Sequence, residues 1–63
     1  MEKNIEIKKF VDDQNIEYKL FLNFKNAPVV RVRDLDAEEN VSIVVYPSIA
    51  QAEIAYAKAL PKF

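Results

Sequence analysis

With sixty-three residues, the chain is one small domain (residues 1–63), of a size at which burial barely exceeds the chain entropy it opposes. It has no Cys, His or Gly. That excludes disulfides, the usual structural zinc ligands, phosphate-cradling loops and the glycine-containing signature of RNA-recognition sheets. A net charge of −1 with 30% charged residues rules out chain-wide electrostatic attraction to nucleic acid but leaves room for a local basic patch.

Taken in chain order, Ile5, Ile7 and Val11 alternate with Glu6, Lys8 and Phe10, which predicts a first strand over about 4–11. A turn follows at Asp12–Asn15. Ile16, Tyr18, Leu20, Leu22 and Phe24 then alternate with Glu17, Lys19, Phe21, Asn23 and Lys25, a second strand over about 16–25. After a turn at Asn26-Ala27-Pro28, a third strand is expected over about 29–34, with Val30 and Val32 on one side and Val29, Arg31 and Arg33 on the other. The acidic stretch Asp34–Asn40 leads to a β-branched run that predicts a fourth strand over about 41–46. Without glycine, turns requiring positive φ fall to Asn15, Asn26 and Asn40, the residue type that best tolerates that region after Gly.

A helix is expected over about 49–60. Ser48 and Gln51 have the spacing of a capping box, five alanines supply propensity, Lys58 suits the last turn and Pro61 ends it. On the helical wheel Ile49, Ala52, Tyr56, Ala59 and Leu60 form one apolar arc. Ala50, Ile54 and Ala57 form a second, separated from the first by Glu53.

Short connections predict an α+β fold in ββββα order: a four-stranded antiparallel sheet with the C-terminal helix packed on one face. Four strands span about 14–19 Å and a helix covers about 10 Å. Part of the inner face, drawn from Ile5, Ile7, Tyr18, Leu20, Leu22, Val30, Val32, Val41, Ile43 and Val45, is therefore left bare. A homodimer is the expected remedy, with Val41, Ile43 and Val45 of the uncharged fourth strand and Ala50, Ile54 and Ala57 of the helix as candidate contacts. An uncharged strand without proline invites pairing if it lies at an edge, whereas the first strand carries the blunting residues Lys8 and Lys9.

The chemistry-bearing residues point away from catalysis. Ser48 is committed to capping, and a single sheet with one helix seldom encloses a cleft that would tune Tyr, Glu or Lys. Asp34–Asn40 opens like a calcium loop, but Glu39 stands where the turn glycine belongs and Val45 where the closing Glu belongs. The expectation is no enzyme, no cofactor, no metal site and no small-molecule substrate.

The face opposite the helix carries more information. Strict alternation places Lys8, Lys19, Lys25, Arg31 and Arg33 there with only Glu6 and Glu17, a local charge of +3. It also places Phe10, Phe21, Val44 and Tyr46 among them. Aromatics interleaved with cations suit a protein contact, and they also suit single-stranded nucleic acid. The acidic loops and a pI near 5.3 favour protein. The expected function is a non-enzymatic binding protein that docks a protein partner through this face (Phe10, Lys19, Phe21, Arg31, Arg33, Val44, Tyr46) or through the fourth strand. Single-stranded nucleic acid is the alternative ligand. Size and acidity alone associate the chain with the small inhibitors encoded by phages and mobile elements. The polar start, the lack of a membrane-length apolar run and the lack of cysteine lead to the expectation of a complete, cytoplasmic chain.

Overall fold

In the computed structural model, which describes residues 4–61, each alternating segment becomes a strand: β1 (Ile5–Val11), β2 (Ile16–Leu22), β3 (Pro28–Asp34) and β4 (Glu39–Val45). One helix, α1 (Ile49–Ala59), follows. Met1, Glu2 and Lys3, which form the polar start, lie outside the described residues. The strands form one antiparallel sheet in the order β1-β2-β3-β4, so β1 and β4 are its edges. The extents of 30 × 26 × 15 Å are those of one sheet with a single helical layer. No described helix is long and apolar enough to cross a membrane.

Side chains close the turns. β2 stops at Leu22 because the Asn23 carboxamide oxygen accepts from the Lys25 and Ala27 N–H groups, drawing Phe24 and Lys25 into the turn. The Asp34 carboxylate accepts from the Asp36 and Ala37 N–H groups, so β4 starts earlier than expected, with Glu39 opposite Asp34 and Asn40 opposite Arg33. That shift moves the positive φ in this turn from Asn40 to Glu38, while Asn15 and Asn26 adopt it as expected.

The helix begins at Ser48, whose Oγ accepts from the Gln51 N–H at 3.2 Å, and ends where Leu60 turns extended ahead of Pro61. It packs on β2 and β3. Leu20, Val30, Ala52 and Tyr56 form the core, with Tyr18, Tyr46, Ala55 and Leu60 against it. Ala52 has no side chain beyond Cβ, which lets the helix approach the sheet closely. Tyr56 donates its hydroxyl to the Tyr18 carbonyl at 3.2 Å, so a phenol sits in the core with its polar end satisfied. On the helix-covered face the margins of the sheet remain open: Ile5 is 54% and Val44 42% exposed.

Two β-bulges revise the face assignments. In β1 the register skips between Glu6 and Lys8, leaving Ile7 as the extra residue. One inserted residue reverses the phase of a period-two pattern. Lys8 and Phe10, expected on the open face, therefore lie opposite Leu20 and Tyr18 on the helix face, and Lys9 and Val11 take the open one. In β4 the register skips Val41. Ser42 and Val44 stand opposite Val32 and Val30 on the helix face, and Ile43 and Val45 stand opposite Arg31 and Val29 on the open face. This is the reverse of the expected phase for β4. Tyr46 follows it onto the core.

Candidate protein-docking surface

The open face is an ordered array of paired charges. Glu17 lies at its centre, buried, because β1 and β3 flank it with cations. Its carboxylate takes the Arg31 guanidinium at 2.8 Å and the Lys9 ammonium at 3.7 Å. Lys19 reaches Glu6 at 3.9 Å. Lys19 Nζ and the Arg31 guanidinium lie 5.5 and 5.6 Å from the centre of the Phe21 ring, at cation–π range. With two cations over it, Phe21 is only 5% exposed. Arg31 leaves its Nε buried without an acceptor, a cost of about 1–3 kcal/mol set against the Glu17 bond and the ring contact.

The titration shifts follow from these contacts. The hydrogen bond from Arg31 holds the Glu17 carboxyl below its ordinary value, against the opposing effect of burial and with help from the Arg31, Lys9 and Lys19 charges. Asp12 is also lowered, chiefly by the Ile16 N–H, with Gln14 N–H and the Tyr18 hydroxyl as further donors. Burial raises both Tyr18 and Tyr56.

The residues expected to act together separate into three places. Lys19, Phe21 and Arg31 form the central array, and Arg33 lies beside it with no ion-pair partner among the described residues. Phe10 and Tyr46 are on the opposite face, Phe10 with its ring 6.2 Å from that of Tyr18. Val44 is at the helix-side margin. Lys8, also on that face, pairs with Glu53 at 3.7 Å. Ala50, Ile54 and Ala57 are exposed on the helix.

The exposed apolar surface is concentrated on β4. Val41, Ile43 and Val45 are 64, 56 and 59% exposed, and all seven residues of the strand are open to solvent. Ile43 and Val45 border Arg31 and Val29, so an uncharged apolar stripe runs next to the basic residues of β3. The alternating pattern missed Phe24, which is 52% exposed in the β2–β3 turn with Lys25 Nζ 5.6 Å from its ring. Asn23, a strong turn former two residues beyond Phe21, was the signal that the strand ends there.

The β1–β2 turn forms a shallow cavity of about 500 Å³ lined by Phe10, Val11, Asp12, Asp13, Gln14, Tyr18 and Pro61. Its Asp12 carboxylate is already occupied by three donors of the chain itself. No group of His, Cys, Asp or Glu among the described residues is arranged to hold a metal ion. No family model, curated protein or solved structure matches this chain.

Proposed function

We propose that this chain is a non-enzymatic binding protein that works as a homodimer. It docks a protein partner where the apolar stripe of β4 meets Arg31 and Arg33. The observation that carries the reading is the exposure of Val41, Ile43 and Val45, at 64, 56 and 59%, on an unpaired edge strand. Apolar surface beside Arg33, which has no ion pair among the described residues, suits a partner offering apolar side chains and an acidic group. The titratable groups support a role without catalysis. The two shifted carboxyls are lowered and the two shifted tyrosines raised, each the direction that makes a poorer base or acid near neutral pH.

Single-stranded nucleic acid is less well served. Phe21 is capped by cations, and Phe10 and Tyr46 sit on the other face. Phe24 and Arg33 lie near opposite ends of the strands, about 17 Å apart at the usual rise per residue. Immobilised protein is expected to retain a partner from a lysate of the source cells. Arg33→Glu should lose that partner while its circular dichroism is unchanged. If the retained ligand is instead single-stranded oligonucleotide, with affinity falling steeply as salt rises, the protein reading fails.

A further inference from the structure

The array on the open face uses its own charges, the helix packs mainly on β2 and β3, and the two sheet edges differ. β1 is blunted by Lys8, Lys9 and a bulge, all devices that discourage strand addition. From Val41 to Val45, β4 has no charge and no proline. Its backbone direction can be read from one bond: the Tyr46 N–H donates to the Pro28 carbonyl at 2.8 Å. Tyr46 therefore points its amide at β3, and by alternation Val44 does too. The N–H and C=O groups of Ile43 and Val45 point away, towards the free edge.

We propose that β4 pairs with β4 of a second copy, antiparallel and with Ile43 on the two-fold axis, joining two four-stranded sheets into one of eight strands. The proposal deepens the docking reading by naming the occupant of the edge. Charge selects the direction. A parallel pair would set Glu38 and Glu39 of the two copies side by side, whereas the antiparallel pair sends them to opposite ends of the joint.

Side-chain chemistry selects the register. Paired residues must share a face, so only every second register is allowed. Centring on Ser42 sets Glu39 against Val45 of the second copy, and centring on Val44 sets Val41 against Pro47, which has no N–H to donate. Centring on Ile43 sets Ile43 against its own counterpart and Val45 against Val41. The outward amides and carbonyls of Ile43 then bond reciprocally across the axis.

The symmetry follows. A two-fold that reverses the strand direction stands perpendicular to the sheet, so both helices lie on one face and both open faces merge on the other. Val41, Ile43 and Val45 from each copy form a single apolar strip flanked on both sides by Arg31 and Arg33. The pairing consumes the open edge of each copy and leaves the blunted β1 edges outermost, so it closes at two copies. The rival surface is the Ala50, Ile54 and Ala57 stripe, in which Ile54 is the single large side chain.

The chain has no cysteine, so single-cysteine variants report the joint directly. Facing residues in a hydrogen-bonded antiparallel pair have Cα atoms about 5.5 Å apart, inside the about 4.4–6.8 Å range of disulfides. Under mild oxidation Ile43→Cys is expected to form a covalent dimer rapidly, and Ile54→Cys to remain uncrosslinked. Light scattering of the unmodified protein should give a mass near twice 7.3 kDa, reduced to one copy by Ile43→Lys. A monomer at every concentration, or a dimer that survives Ile43→Lys and crosslinks through Ile54→Cys, overturns the proposal. Arg33→Glu should leave the dimer intact, so loss of the docking reading and loss of the joint register in different variants.

Discussion

Glu17 shows how one residue organises a solvent-facing surface. It accepts from Arg31 at 2.8 Å, lies 3.7 Å from Lys9, and so holds in place the guanidinium that covers Phe21. Its carboxyl is held below its ordinary value, first by the Arg31 hydrogen bond. A lowered carboxyl contributes stability that is complete above its unfolded-state value and is lost as pH falls through the folded one. Glu17→Gln should therefore cost about 1–3 kcal/mol at neutral pH. The gap to wild type should close as urea titrations are repeated below about pH 4. A gap unchanged down to pH 2 would mean that Glu17 stabilises by packing alone. That Glu17 faces cations was legible from alternation. Its choice of Lys9 rather than Lys8 was not, because the bulge decides it.

At the scale of elements, the order, type and approximate span of all four strands and the helix follow from periodicity and punctuation. The two bulges do not, and they moved Phe10, Val44 and Tyr46 to the other face. The sequence carries no clear trace of the first: strict alternation in Ile5–Val11 would have set Lys9 on the core face beside Ile7 and Val11, and the bulge sets Lys8 and Phe10 there instead, so one lysine falls on that face in either phase. In β4 no trace exists, because Val44 is as apolar as Val41, Ile43 and Val45, and the pattern carries no phase. The β3–β4 turn has a different cost. Glu38 holds φ at 55°, where a side chain crowds the backbone by about 1–2 kcal/mol. Glu38→Gly should raise the denaturation midpoint with an unchanged denaturant slope, a stability gain of about 1 kcal/mol net of glycine's greater chain entropy. A lower midpoint would place the strain elsewhere.

For the molecule as a whole, width sets the problem. One helix over four strands leaves Ile5 and Val44 open at the margins of the face it covers, while Ile43 and Val45, expected on that face, are exposed on the opposite one, and the two edges are treated differently. At β1 the charged Lys8–Glu53 pair, at 3.7 Å, borders the margin. At β4 nothing charged intervenes between Val41 and Val45. A domain of this size is stable by only about 3–9 kcal/mol, so covering that edge changes its energetics as well as its partners.

Amide hydrogen exchange measured residue by residue over a range of protein concentrations tests the β4 joint most directly. The Val44 and Tyr46 amides, which point at β3, should be protected throughout. The Ile43 and Val45 amides should be protected at high concentration and lose protection on dilution, together with the mass of the dimer. Ile43 and Val45 amides that exchange at the rate of free chain at every concentration would contradict the account.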